Sequence, residues 1–501
     1  MTNSNNHSVD SVKRIFPALA LINVIFYLFY TLKTNQYELL FVDERLLIDD
    51  IYNVWLFDDA FNRFQNINNN NLQNLLIFLT EVAYGGDLRY GRLWSNIYTV
   101  FSGPFLLISD QALISSSRIL NVIVLTLSFY NLSKMFVKKS NLWISVLFLY
   151  SLPGVEFLNR FPKPETFALL FTTFGFYYLR KDRPFISIFF FGVASFLKIN
   201  FIITLFICVL YLLTKSKNKI LFIFKSFITT YLALILVNPI LIVPPLNIFG
   251  IQAPNFYFKY FEWILSQGSY GQTNIFSINY FLNWLSTLGK FYSVSSFIVF
   301  MVLVITFIIL FRYISKNKDP YSILFISISS IYFLFYMFFI ERQFLWYINI
   351  PMIFLTLTIF RNFEIKKFNI KLLFTMFFLI LGLFSNINEH LNSKVFTANY
   401  KYDYENIFTE EDAIRLVDNV VLNISNLYEE KNDEILNKVF WNPNMFIPRN
   451  KVTYFNDFFV REYWDSLSLE EILSQADFFV TNEEFDNFKN VKVANYFIYF
   501  K

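Results

Sequence analysis

Histidine and cysteine are nearly missing from this chain, and their scarcity removes several kinds of chemistry at once. It has one cysteine and two histidines in 501 residues. Cys208 lies inside an apolar run, so no intrachain disulfide and no accessible thiolate nucleophile can form. His7 falls in the polar N-terminal tail and His390 follows the last apolar run, so a zinc site of the usual His and Cys kind has no ligands in the body of the chain. Charge is sparse as well, at 16% of residues with a net +4, and the lysines and arginines come in short clusters between apolar runs. That distribution marks membrane topology and excludes a nucleic-acid-binding face. Any reaction must run on carboxylates, arginine, lysine and tyrosine.

What is abundant is apolar and aromatic surface. With 55% hydrophobic and 21% aromatic residues and a mean hydropathy of +0.43, the chain has more apolar surface than one water-soluble core can bury. It reads as an α-helical polytopic membrane protein. Apolar runs at 15–32, 119–136, 142–157, 166–179, 185–197, 201–213, 227–243, 297–311, 323–340, 346–360 and 372–384 predict about 11 spans. The first follows a polar tail, 1–14, and Lys13 and Arg14. It has spanning length and no small-residue cleavage pattern, so it reads as an uncleaved anchor. The piece 97–108 is too short to span and contains Gly103 and Pro104, which suits an interfacial or re-entrant segment.

The short turns at 134–139, 180–183, 215–225, 312–318 and 361–371 are rich in Lys and Arg, whereas the alternate turns carry only Arg160 and Lys163, then Lys198, then Arg342. The positive-inside bias therefore predicts a cytoplasmic N-terminus, with the loop 33–118 and the C-terminus on the other face. Phenylalanine, isoleucine, asparagine and lysine are used heavily, which suggests an AT-rich bacterial genome. The expected location is the bacterial inner membrane, and the outer side is then the periplasm. The membrane domain is expected over 15–385, and 386–501 as a small extracytoplasmic α/β domain, with a helix at 409–430, a helix capped by Ser468, and strands at 476–480 and 494–500.

Two stretches carry candidate chemistry. FVDERLLIDD, 41–50, puts Asp43 and Glu44 just past the first span, close to the membrane surface; a solvated amphipathic helix face would explain the same acids. RFPKPE, 160–165, places Arg160, Lys163 and Glu165 at the opening of a span on the same expected side. Ionisable groups crowded at a span end need partners or a function. Pro164 at the helix start and an acid beside it are also good local capping, with two snorkelling cations, and this reading needs no function.

The acidic pair in the first external loop, the Arg160, Pro164 and Glu165 signature, the many spans and the external C-terminal domain together resemble the GT-C class of integral-membrane glycosyltransferases. Within it, the chain resembles the bacterial relatives of protein mannosyltransferases and of the lipid A aminoarabinose transferase. Lys163 departs from the small or apolar residue expected before Pro164.

The resemblance implies transfer of a sugar from a polyprenyl-phosphate donor to a lipid, glycan or protein acceptor of the cell envelope, on the outer side of the membrane. For an inverting transfer, Asp43 suits the general base, with Glu44 orienting it and Glu165 assisting. Arg45, Arg89, Arg92, Arg160, Lys163, Lys198 and Arg342 suit the donor phosphate. Asp43, Glu44 and Glu165 could form an oxygen-only site for a divalent cation, although nothing in the sequence requires one. A transporter or flippase of a lipid-linked sugar is the alternative. The charges at span ends and the outer domain favour a transferase.

Overall fold

The computed structural model describes residues 4–33, 47, 48, 51, 92–238, 277–340, 345–363, 370–391, 395, 396, 407, 408, 438–441, 457–460, 470, 473, 478–481, 485, 488–493 and 496–500. Helices dominate. They are α1 (Ser4–Lys33), α2 (Arg92–Phe101), α3 (Asp110–Phe136), α4 (Leu142–Tyr150), α5 (Val155–Arg160), α6 (Pro164–Arg180), α7 (Pro184–Leu197), α8 (Ile202–Lys215), α9 (Lys219–Val237), α10 (Ile278–Phe291), α11 (Ser296–Asn317), α12 (Pro320–Phe339), α13 (Leu345–Asn362) and α14 (Ile370–Leu391).

Among the described residues four helices are long and apolar enough to cross a membrane: Gln111–Phe136, Lys219–Val237, Ser296–Asn317 and Pro320–Phe339. The about 11 spans expected for the whole chain are not confirmed by this count. Two further apolar runs form shorter helices, at Pro184–Leu197 and Ile199–Lys215, and the apolar stretches Ile15–Phe29 and Met376–Asn388 lie within the longer helices α1 and α14. The run 142–157 does not form one helix. It breaks at Pro153 and Gly154 into α4 and α5, because Gly154 takes a left-handed conformation (φ 75°). Helix α10 was not expected. Trp284, Leu285, Leu288 and Phe291 form a buried stripe along it, whereas its polar residues obscure the apolar run that marks a span.

The helices cohere through aromatic packing. Phe176 of α6 meets Phe136, Phe191, Phe325 and Phe354, from four other helices, at centroid distances of 5.6, 4.9, 5.2 and 5.8 Å. Edge-to-face pairs of this kind contribute about 0.5–1.5 kcal/mol each beyond their burial. In a bilayer, where lipid tails are as apolar as leucine, such shape-specific packing must do much of the assembling.

The helices' Lys and Arg turns meet at one end of this packing. Lys318 ends α11 in the left-handed region, Asp319 caps α12 by accepting from the Ser322 N–H at 2.9 Å, and Pro320 begins the helix. Arg361, in the last turn of α13, grips Asp319 with Nε at 2.6 Å and Nη2 at 2.8 Å and donates from Nη1 to the Phe136 carbonyl at 3.0 Å. Arg180 donates to the Met135 carbonyl. Two arginines thus satisfy carbonyls that the end of α3 leaves open.

By contact density the chain divides into two units. One comprises Met1–Lys33, Asp50–Gly103 and Ser116–Leu391; the other comprises Thr34–Asp49, Pro104–Ser115 and Asn392–Lys501. The second contains a short antiparallel pair, β1 (Val395–Phe396) with β2 (Ile407–Phe408), and a five-stranded sheet. The five strands are β3 (Lys438–Trp441), β4 (Asp457–Val460), β5 (Phe478–Thr481), β6 (Asn490–Val493) and β7 (Tyr496–Phe500), in the order β4-β3-β5-β7-β6. β4, β3 and β5 are parallel, and β7 runs antiparallel to both its neighbours, β5 and β6. The two expected strands correspond to β5 and β7, and the expected helix at 409–430 lies outside the described residues.

Asp319 gives this end a pH signature. The Arg361 hydrogen bond, helped by Ser322 and opposed by partial burial, lowers its carboxyl pKa from 3.8 to about 2. A carboxylate with a depressed folded-state pKa contributes stability above its unfolded value and loses it as pH falls through the folded value. The melting temperature of the wild-type protein in detergent should therefore drop between about pH 4 and pH 2. Asp319→Asn should melt lower at pH 7 and show a smaller drop in that window. Equal acid sensitivity of the two proteins would contradict this role.

Candidate active site

The opposite end of the membrane unit is built around residues 151–166, a segment in which non-helical stretches flank the short helix α5. Asparagines from three helices supply donors to its carbonyls. Asn121 of α3 donates to the carbonyls of Leu158 and Phe161, the latter at 3.0 Å, while accepting from the Tyr98 hydroxyl at 3.2 Å. Asn349 of α13 donates to the Pro153 carbonyl at 3.1 Å. Asn386 of α14 donates to the carbonyls of Tyr150 and Leu152, both at 3.0 Å, and accepts from the Glu156 N–H at 3.4 Å. All three asparagines are buried. Unpaired carbonyls here would be costly, so these contacts determine where the segment can lie.

Close approach supplies the rest. A Cβ at Gly154 would collide with the backbone of Leu345 and Trp346, and one at Gly382 with the Ser151 carbonyl. With glycine at both positions, α13 and α14 close onto the turn. The Trp346 ring then stacks on Phe157 at 4.1 Å, with the planes 9° apart.

Lys163 is extended (φ −134°, ψ 140°), as a residue before proline tends to be, and Pro164 and Glu165 begin α6. Glu165 thus lies at a helix N-terminus, where the dipole favours its charge. Lys198, the residue that ends α7, brings its ammonium to 2.9 Å from Glu165 Oε1. Their side chains are 13% (Lys198) and 4% (Glu165) exposed. The approach is an ion pair away from the hydrogen-bonding direction, and both Glu165 oxygens lack a hydrogen-bond donor among the described residues. Lys163 is buried, its Nζ 4.6 Å from the Phe157 ring centre and 5.1 Å from that of Trp346. Buried Arg118 lies over Phe161 at 5.5 Å. Three cations and a carboxylate therefore share one end of a bundle whose middle is aromatic.

Of the residues expected at the site, Lys163, Glu165 and Lys198 are brought together. Arg92 opens α2 and Arg160 closes α5. Asp43, Glu44, Arg45, Arg89 and Arg342 lie outside the described residues. Among the described residues no cluster of three His, Cys, Asp or Glu side chains could hold a metal ion. The sequence reading missed Arg118, Asn121, Asn349, Asn386 and Trp346. A usable signal was present in the asparagines, since polar residues within apolar runs are rare and usually have a specific task.

Residues 96–340 match the family model Glycosyltransferase family 87, a match consistent with a GT-C-like membrane glycosyltransferase. It indicates glycosyltransferase activity, and with the apolar helices it indicates a membrane protein. No curated protein matches the chain.

The buried pair should behave as a unit. Removing one partner strands a charge, at a cost of about 3 kcal/mol, whereas removing both does not. Glu165→Gln and Lys198→Met should each lower the melting temperature in detergent, and the double variant should recover most of the loss. Additive losses would show that the two side chains are not coupled.

Proposed function

We propose that the protein transfers a sugar from a polyprenyl-phosphate donor to a lipid, glycan or protein acceptor at the outer face of the membrane. The acceptor oxygen or nitrogen attacks the anomeric carbon and Asp43 takes its proton as general base. The bond from that carbon to the phosphate oxygen breaks, and the polyprenyl phosphate leaves with the electron pair. Attack and departure on opposite sides of the carbon invert its configuration.

The observation that carries this reading is the convergence of buried Lys163 and Glu165 with the partly buried Lys198 at one end of the helical unit and within the residues that match the glycosyltransferase family. A departing phosphate gains charge as the bond breaks, and fixed cations in a site of low dielectric stabilise it. Glu165 suits the task of holding Lys198 in place for that anion. Arg160, at the end of α5, is the arginine whose fork suits bidentate phosphate contact. Glu44, beside Asp43, would orient the base or the acceptor.

The test uses purified protein in nanodiscs with a polyprenyl-phosphate sugar donor. Asp43→Asn should lower single-turnover transfer by at least about 100-fold while leaving expression and donor affinity intact. Arg160→Ala should weaken donor binding, and Arg160→Lys should restore part of it. Near-normal turnover by Asp43→Asn would remove the base from this scheme, and unchanged donor affinity in Arg160→Ala would remove that cation.

A further inference from the structure

Tyr332 and Tyr336 lie one turn apart on α12, both buried, with their rings stacked at 5.7 Å and 19°. Their hydroxyls have different surroundings. That of Tyr332 donates to the Asn200 carbonyl at 2.7 Å and lies 3.0 Å from the Thr204 hydroxyl. That of Tyr336 has no hydrogen-bond partner among the described residues, although its ring is fixed between Tyr332 and Tyr347, the latter at 5.6 Å and 11°. Two connections bring Tyr336 towards Glu165: its ring partner Tyr347 adjoins Trp346, whose ring faces Lys163 Nζ at 5.1 Å, and Tyr332 one turn away bonds Asn200, two residues from the Lys198 that pairs with Glu165 Oε1. Beyond that ion pair the Glu165 carboxylate has no hydrogen-bond donor among the described residues, and the Thr166 hydroxyl next in the chain has no hydrogen-bond partner among them either.

A buried donor and a buried acceptor left open in one neighbourhood need explaining, because such groups are almost always paired. The chemistry of the two limits what can fill the gap. A phosphate oxygen accepts only, so it would satisfy Tyr336 and repel Glu165. An ammonium donates only, so it would satisfy Glu165 and not Tyr336. A hydroxyl does both, accepting from the tyrosine while donating to the carboxylate.

We propose that Tyr336 and Glu165 together hold a hydroxyl of the transferred sugar, which makes Tyr336 a specificity-determining residue for the donor. This rests on the transferase reading above. It adds a division of labour: cations take the phosphate, and the α12 tyrosine with the α6 carboxylate takes the sugar. The stacked rings fix the tyrosine without using its hydroxyl, so a ligand meets a donor already in place.

The experiment compares the full-length protein with its Tyr336→Phe and Tyr332→Phe variants in nanodiscs. The probes are bare polyprenyl phosphate and the same lipid carrying glucose, mannose, galactose or arabinose, and the readout is the affinity gained by adding the best-bound sugar. Tyr336→Phe should lose about tenfold of that gain, corresponding to one hydrogen bond, with its affinity for the bare lipid and its melting temperature unchanged. Tyr332→Phe should melt lower and keep the gain. If Tyr336→Phe keeps the whole gain, a water molecule fills the gap and the proposal fails. If it weakens both kinds of probe equally, the partner is a phosphate oxygen and the proposal also fails. Failure of the wild-type protein to bind any of the probes would instead contradict the transferase reading itself.

Discussion

Backbone carbonyls left without a helical or strand N–H to donate to them are the constraint on which this architecture depends. Residues 151–154 and 161–163, on either side of the short helix α5, leave helical geometry at the end of an apolar bundle, where an unpaired carbonyl costs several kcal/mol. Asn121, Asn349 and Asn386 meet that demand from α3, α13 and α14, helices far apart in the chain. The solution is specific because each asparagine must be at the right height on its helix. It also ties the opening of α6, and with it Lys163 and Glu165, to three separate elements. A segment held in this way can present charges at fixed positions, which the stabilisation of a departing anion requires.

The two ends of the membrane unit use charge differently. At the Asp319 end, Arg361 and Arg180 are spent on structure, closing helix ends and a bidentate ion pair. At the Glu165 end, a carboxylate has an ion pair with Lys198 and no hydrogen-bond donor, and a neighbouring tyrosine hydroxyl has no hydrogen-bond partner, among the described residues. Satisfied polar groups at one end and unsatisfied ones at the other are what a structural end and a binding end would each show. The aromatic packing around Phe176 lies between them and supplies rigidity without polar atoms.

Much of the helical layout could be read in the apolar runs, and Pro164 with Glu165 was readable as a helix start because proline suits the first turn and an acid suits the dipole there. The Lys and Arg turns likewise identified positions that gather at one end. The break in 142–157 was harder to foresee, since apolar composition continues through Pro153 and Gly154 while the left-handed glycine redirects the chain. Helix α10 was hidden by polar residues on its open face. At the site, Lys198 could be placed beside Glu165 only by side of the membrane, because the 33 positions separating them carry no local signal of contact. The role of Tyr336 was not legible at all: α12 carries six other tyrosines and serines, and only their hydrogen-bond partners tell them apart.

The central claim is that the Glu165 end is the reaction end and faces outward. The single cysteine makes a direct measurement simple: in a Cys208→Ser background, one cysteine is introduced at Asn200, beside Lys198, or at Ser140, beside the Arg180 and Arg361 end. Spheroplasts are then treated with a membrane-impermeant maleimide before and after permeabilisation. The account predicts labelling of the Asn200→Cys protein in intact spheroplasts and of the Ser140→Cys protein only after permeabilisation. The reverse pattern would put the charged end on the cytoplasmic side and contradict the account.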